Sequence, residues 1–314
     1  MTSFVKSPIN YTGNKYRIFP QLMPYFPKNA GVLVDLFCGG ATVGANANCR
    51  KVVFVDNNRL VIGLLDYLAR CKDIDKFIQT LFKLTDKFGL SCSAVNGYAV
   101  YKEKLQDKGT NNGLKEFNSK GFYELRNAYN AMPDKFTADA FNLLYLLIMY
   151  GFNNDIRFSQ DGRYNLPIGK TDLNKTNINK VRAFNEKMSA TEFEFVCTDF
   201  DSDLAKNYIE QSNFVYADPP YLITKATYNE NGKWDNFAEY RLLGLLDDFL
   251  RSGKKFMLSN VLEKKGERNE PLSYWIHKRE RKIQIIDIDF HYRSSSYNKK
   301  QRDGNEREII IIPR

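Results

Sequence analysis

Four short runs of apolar and β-branched residues each stop at an aspartate and pass straight into a turn. They are "GVLVDLFCGG" (31–40, with Asp35), "KVVFVDNN" (51–58, with Asp56), "EFEFVCTDF" (192–200, with Asp199) and "NFVYADPPY" (213–221, with Asp218). Runs of this length bounded by turn residues read as buried strands. Between them lie stretches of helical spacing. Leu60, Leu64, Leu68, Phe77 and Leu81 mark one region over 59–88, and "AEYRLLGLLDDFLRSG" (238–253) precedes a further strand, "KFMLSN" (255–260). Strands alternating with helices predict an α/β fold with a mostly parallel sheet. The closing runs "KIQIIDIDF" (282–290) and "REIIIIPR" (307–314), joined by a basic loop, predict an antiparallel edge. The stretch 61–189 interrupts this alternation and is expected to form a second, mainly helical lobe. Within it, "QDKGTNNGLKEFNSKG" (106–121) has loop composition, and "AFNLLYLLIMYGF" (140–152) reads as a buried helix.

In an open parallel sheet, ligands collect at the carboxyl ends of the strands. Each acid has a bland reading by itself. Asp56 in "DNN" would serve as a helix cap, and Gly39-Gly40 would serve as a tight turn. Four acids at one edge are harder to explain that way. A glycine turn lets a ligand approach the backbone closely, and an acid about 20 residues on can hold a ribose diol. Gly39-Gly40 with Gly44 is not the dinucleotide pattern, and an acid-rich edge repels phosphates. It suits a cationic sulfonium cofactor instead.

The segment "DPPY" (218–221) suits an exocyclic amine. Such an amine is a poor nucleophile because its lone pair is delocalised into the ring. The Asp218 carboxylate and the Pro219 carbonyl would each accept one N–H, drawing the nitrogen toward tetrahedral geometry. Pro219 and Pro220 fix φ and hold the acceptors in place beforehand. Tyr221 would stack on the base, a contact worth roughly 1–3 kcal/mol in nucleic-acid sites.

Composition is compatible with this and narrows the chemistry. The formal charge is +9, from 46 Lys and Arg against 37 Asp and Glu, which suits a polyanionic partner. The chain has only 2 His, and its 5 Cys never fall in CxxC spacing. A His-based triad or zinc site is therefore not expected, and the cysteines fit a reducing compartment. The N-terminus lacks an apolar signal segment and the longest apolar run is too short for a bilayer, so the expectation is a cytoplasmic protein with no membrane contact.

Taken in order along the chain, these stretches resemble the Dam-like (α-group) DNA adenine-N6 methyltransferases. "INYTGNK" (9–15) resembles that family's W-x-G-x-K segment, with Tyr11 in place of Trp, and "DLFCGGA" (35–41) resembles its glycine loop. "YGFNNDIR" (150–157) resembles Y-G-Y-N-G-x-x-R, with Asn154-Asp155 replacing the common Gly-Leu, and "GRYNLPIGK" (162–170) resembles the hairpin that follows. "TDF" (198–200), "DPPY", "LSN" (258–260) and "RSSSYNKK" (293–300) complete the order. The resemblance implies a Rossmann-like methyltransferase sheet formed by 1–60 and 190–314, with an inserted DNA-recognition domain over 61–189. It implies S-adenosylmethionine as cofactor, held by Tyr11, Lys15, Asp35, Phe37, Gly39, Gly40 and Asp56, with Asp199 and Phe200 near its adenine. Asp218, Pro219, Pro220 and Tyr221 would act on a flipped adenine. Asn153, Asn154, Arg157, Arg163, Lys170, Arg293 and Ser295 would contact double-stranded DNA. A GATC-like target is compatible with the resemblance, as is a restriction-modification, phage or housekeeping setting.

An adenine inside a duplex must leave the stack before its N6 can be methylated, at a cost of a few kcal/mol. "NENGKWDN" (229–236) reads as a loop that closes over the site or as a plain surface loop. No metal is required, because a sulfonium carries its own leaving group; a monomer or weak dimer is expected. Two other readings stay open: methylation of an amine or amide in RNA or protein, and a catalytically silent DNA-binding module. Asp rather than Asn at 218 favours adenine over an amide.

Overall fold

The computed structural model describes residues 4–104, 112–159, 161–223, 234–289 and 306–314. Strand β1 (Ala30–Leu36) pairs in parallel with β2 (Cys49–Asp56), with Val34 opposite Val53 and Leu36 opposite Val55. On its other side β1 pairs in parallel with β4 (Phe214–Ala217), which pairs in parallel with β5 (Phe256–Lys264). With β3 (Glu192–Cys197), β7 (Ile283–Ile288) and β8 (Arg307–Pro313) the sheet order is β3-β2-β1-β4-β5-β8-β7, and the short β6 (Glu267–Arg268) pairs β5 off this path. Strand β8 is antiparallel to both β5 and β7. This is the mostly parallel α/β sheet with an antiparallel edge that the strand pattern predicts. One consequence positions the site. Because β8 runs opposite to β5, with Val261 opposite Glu308 and Leu258 opposite Ile311, its first residues lie at the carboxyl edge of the parallel strands.

The chain divides into two compact units. The first comprises Lys15–Cys38, Asn46–Asn57 and Val196–Arg314. Alternation along the strands sorts its side chains to two faces. Val34, Leu36, Val53, Val55, Val215 and Ala217 pack with Leu242, Leu246 and Phe249 of the helix Asn236–Ser252, and with Leu272 and Trp275 of the helix Glu270–Arg279. Fully burying side chains of this size contributes about 1.5–3 kcal/mol each. Phe214 and Tyr216 point the other way, against Phe26, whose ring also meets Phe19. The helix Glu270–Arg279 was not anticipated from sequence, although Asn269 caps it through the Leu272 amide at 3.1 Å and Pro271 sits in its first turn.

The second unit comprises Met1–Asn14, Gly39–Ala45 and Asn58–Phe195. Its centre is the helix Ala138–Tyr150, buried at every position from Ala140 on, as a helix apolar on all sides requires, with polar Asn142 accepting from the Tyr67 hydroxyl at 3.0 Å. Among the described residues no helix is long and apolar enough to cross a membrane. The expected loop over 106–121 is corrected in part, since a helix runs Lys115–Ala131. Packing overrides local propensity there. Phe122, Leu125 and Tyr129 are fully buried, and Asn118 is buried with its amide oxygen accepting from the Ser91 amide at 2.7 Å. Gly121 permits the contact, because a Cβ there would stand 2.0 Å from the Phe88 carbonyl oxygen.

Candidate active site

In the first unit, β4 ends at Ala217, and the Asp218 amide extends the ladder by one bond to the Leu36 carbonyl at 3.3 Å. Pro219 and Pro220, lacking N–H groups, cannot continue the ladder, so Asp218 is the last residue the sheet holds. Its carboxylate is not idle. Lys15 Nζ lies 2.7 Å from Oδ2, and the Tyr221 hydroxyl donates to Oδ1 at 2.9 Å. The side chains of Lys15 and Asp218 are 3% and 17% exposed. The ammonium also sits 5.1 Å from the centre of the Tyr221 ring. Lys15 opens a short turn, Lys15–Arg17, whose continuation is anchored by buried Phe19 and Leu22. Lys15, expected among the cofactor residues, is thus on the Asp218 carboxylate.

A second acid shares this cluster. Glu308, buried at the start of β8, accepts from the Tyr221 hydroxyl at 3.4 Å and stands 4.0 Å from Lys15 Nζ. Its Oε2 is buried and has no hydrogen-bond partner among the described residues. Burial pushes the Asp218 carboxyl above the usual range, and Lys15 and Tyr221 pull it back. Burial likewise pushes Glu308 up, opposed by Lys15 and reinforced by Asp218. Sequence reasoning missed Glu308. The available signal was a charged residue opening an otherwise apolar strand, "REIIII", in an antiparallel position that begins at the ligand edge.

The acids of β1 and β2 end at the same edge. Asp35 is buried, and Asp56 closes β2. The cap of the following helix is Asn58, whose side chain accepts from the Val61 amide at 3.2 Å, so capping does not account for Asp56. The Cys38 thiol is pushed well up by burial, with Asp56 and then Asp35 adding to the effect. Both carboxylates therefore impose a negative potential on the turn. That turn carries left-handed backbone at Phe37 (φ 65°), Gly39 (φ 48°) and Ala41 (φ 59°). Such a conformation in two non-glycine residues marks a strained segment.

Beside it lies an aromatic group. Phe37 and Phe200 have centroids 5.0 Å apart, and Trp234 stands 5.5 Å from Phe37 and 5.6 Å from Phe200. Trp234 was not nominated from sequence. Its Nε1 donates at 2.5 Å to buried Glu239, which also accepts from Asn269 Nδ2 at 2.8 Å. Asp199 lies two residues beyond the end of β3 and is bound to Arg241 at 2.5 Å together with Asp201. Arg241 holds Asp201 down at about 2 and stands 4.8 Å from the Phe200 ring centre. Asp199 is thus part of an arginine clasp.

In the second unit, the Tyr11 ring lies on the glycine backbone. A Cβ at Gly39 would come within 2.6 Å of it, and one at Gly40 within 2.7 Å of Ser7 Oγ. In this unit Gly151 bridges Ile168 and Phe158 bridges Tyr164, an antiparallel hairpin that begins before the 162–170 the resemblance implies. Buried Tyr164 fastens it, donating its hydroxyl to the Leu147 carbonyl at 2.9 Å. Asn154, in left-handed backbone, donates its Nδ2 to the carbonyls of Met149 (2.6 Å) and Ile148 (3.2 Å). Arg157 Nε donates to Asn165 Oδ1 at 2.8 Å. Asn154 and Arg157 therefore brace the hairpin, while Asn153, Arg163 and Lys170 are exposed. Arg293 and Ser295 lie outside the described residues, as does most of 229–236. Among the described residues no group of three or more His, Cys, Asp or Glu side chains could hold a metal ion.

The profile of the D12 class N6 adenine-specific DNA methyltransferases matches residues 11–289. The chain is 32% identical to the type II methyltransferase M.FokI of Planomicrobium okeanokoites, across 98% of this chain and 43% of that protein. It is 30% identical to the modification methylase StsI of Streptococcus sanguinis, across 96% of this chain and 42% of that protein. The chain spans less than half the length of these relatives. Among solved structures, the rRNA methyltransferase aviRa from Streptomyces viridochromogenes matches 94% of this chain and 82% of its own at 10% identity and a TM-score of 0.36, too distant to bear on function.

Proposed function

Because the chain belongs to the D12 class N6 adenine-specific DNA methyltransferases, we propose that it methylates the N6 amine of an adenine flipped out of a short DNA sequence. The observation that carries this reading is Asp218, a strand-end carboxylate held by Lys15 at 2.7 Å and Tyr221 at 2.9 Å ahead of two prolines. Each carboxylate oxygen has two acceptor positions, so both can still accept a substrate N–H. The Asp218 carboxylate and the Pro219 carbonyl each accept a hydrogen bond from one N–H of the amine and aim the nitrogen lone pair. Tyr221 offers a ring face to the base.

Methyltransferases of this family and fold imply S-adenosylmethionine, and the residues here fit it. When bound, it supplies an electrophilic methyl group on a sulfonium. Asp35 and Asp56, which act together on the Cys38 thiol, give the turn the negative potential a sulfonium and a ribose diol need. Phe37, Phe200 and Trp234 supply aromatic surface for an adenine. We assign the first 60 residues and 190–314 to catalysis, and 61–189 to DNA reading. Within the reading domain, exposed Asn153, Arg163 and Lys170 meet DNA, and Asn154 and Arg157 hold the hairpin in shape.

Transfer of a tritiated methyl group from S-adenosylmethionine to DNA, RNA and protein tests the proposal. Labelling of DNA alone is expected, abolished in Asp218→Ala while calorimetric cofactor binding persists. Labelling of RNA or protein in preference to DNA would overturn it.

A further inference from the structure

Lys15, Asp218, Tyr221 and Glu308 form a cluster in which one ammonium faces two carboxylates. The Tyr221 hydroxyl bridges the two acids, 2.9 Å from Asp218 Oδ1 and 3.4 Å from Glu308 Oε1. Glu308 is 3% exposed, and its Oε2 has no hydrogen-bond partner among the described residues. A buried carboxylate oxygen left without a donor is costly, and such groups persist where they serve chemistry. Packing alone would be met by an apolar residue, as the Ile309, Ile310 and Ile311 that follow show.

The amine has two protons before the reaction and must lose one. As its lone pair forms the N–CH₃ bond, the C–S bond breaks onto sulfur and the nitrogen becomes positively charged. Its N–H then breaks toward the acceptor it already touches. We propose that Glu308 is the terminal acceptor of this proton, reached from Asp218 through the Tyr221 hydroxyl. The inference rests on the reading of Asp218 as the amine's acceptor. Once Asp218 Oδ1 takes the proton, the Tyr221 hydroxyl turns from Oδ1 toward Glu308 Oε1 and passes its proton there, while the Tyr221 oxygen accepts the proton from Oδ1. The balance leaves Asp218 ionised, Tyr221 neutral and Glu308 protonated, and solvent takes the proton once product departs. Glu308 does not touch substrate, so it is a positioning and proton-accepting residue acting through Tyr221.

The titratable groups around Glu308 are Lys15, Asp218, Tyr221, Tyr216 and Glu306, the last paired with Lys264 at 2.6 Å. Burial raises the Glu308 carboxyl above the ordinary glutamate range, with Lys15 opposing and Asp218 reinforcing. Below its pKa Glu308 starts protonated and cannot accept, so turnover falls as pH falls.

The test measures single-turnover methylation of methylation-free genomic DNA by the full chain between about pH 5.5 and 8.5, for wild type, Glu308→Gln, Glu308→Asp, Tyr221→Phe and Asp218→Ala. The expected result is an acid limb in the wild type and in Glu308→Asp. Glu308→Gln and Tyr221→Phe run at least tenfold slower at pH 7.5, with the limb moved to lower pH, where Asp218 alone sets it, and cofactor affinity within twofold. Infrared titration of the cofactor-free protein should lose one carboxyl band in Glu308→Gln. Wild-type rates in Glu308→Gln, or a slower rate with the acid limb unmoved, overturn the proposal. Should Glu308→Gln fail to fold, Tyr221→Phe decides on the same readout. Methylation by Asp218→Ala sinks the reading of Asp218 itself, whereas an inactive Asp218→Ala beside a wild-type-like Glu308→Gln sinks only the relay.

Discussion

Replacing Lys15 by Met removes an ammonium that stands between two buried acids. The ammonium is 3% exposed and lies 2.7 Å from an Asp218 side chain that is 17% exposed. Breaking a buried pair from one side costs about 3–5 kcal/mol, because the remaining charge is left uncompensated. Asp218 keeps some solvent, so the lower figure, about 3 kcal/mol at pH 8, is expected. The sign of the pH dependence follows from linkage. Burial raises Asp218 and Glu308 already, and loss of Lys15 removes what opposes that rise in both. The folded variant then binds more protons than the unfolded chain, so its stability falls as pH rises. The penalty should therefore be small near pH 5 and grow toward pH 8. Thermal unfolding reads this as a drop of roughly 6–12 °C at pH 8, at 2–4 °C per kcal/mol for a unit of about 150–250 residues. Adding Asp218→Asn to Lys15→Met should recover about half of it. A Lys15→Met variant within about 0.5 kcal/mol of wild type at pH 8, or a loss that does not depend on pH, refutes the account of this cluster.

Gly121→Ala should cost about 1–3 kcal/mol of stability, since its Cβ would meet the Phe88 carbonyl oxygen at 2.0 Å; chemical denaturation measures it, and an unchanged midpoint would mean the helix can shift. Trp234→Ala should lower S-adenosylmethionine affinity about tenfold by calorimetry, from loss of two aromatic neighbours worth about 0.5–1.5 kcal/mol each; full affinity would remove Trp234 from the cofactor site. Arg163→Ala and Lys170→Ala should each weaken DNA binding uniformly and reduce its salt slope by about 1. Asn154→Ala should instead cost about 1–2 kcal/mol in stability through the freed carbonyls of Ile148 and Met149, visible by thermal unfolding without DNA.

What was legible in the sequence were features carried by local pattern. Four apolar runs were strands because their alternation and turn residues said so, and the parallel order followed from the helices between them. A hairpin over 162–170 was legible through the family resemblance of "GRYNLPIGK"; its pairing back to Gly151 was not. What escaped depended on partners far along the chain. Asp199 looked like the other strand-end acids, but β3 stops at Cys197 and Arg241 reaches back 42 residues to clasp it. Lys15 stands on Asp218 because a buried Phe19 and Leu22 fix its turn, which no spacing in "YTGNK" reveals. Glu308 required knowing that the last strand runs antiparallel. The helix Lys115–Ala131 hid in loop-like composition because its glycine serves a backbone contact, a tertiary fact.

The central claim, that Asp218 directs methyl transfer to adenine N6 in DNA, is tested most directly by sequencing methylated bases in a methylation-free host expressing this chain. The account predicts N6-methyladenine confined to one short sequence with the wild type, and none with Asp218→Ala at equal expression. Methylation persisting in Asp218→Ala, or a folded wild-type chain that binds S-adenosylmethionine yet leaves every adenine unmodified, would contradict it.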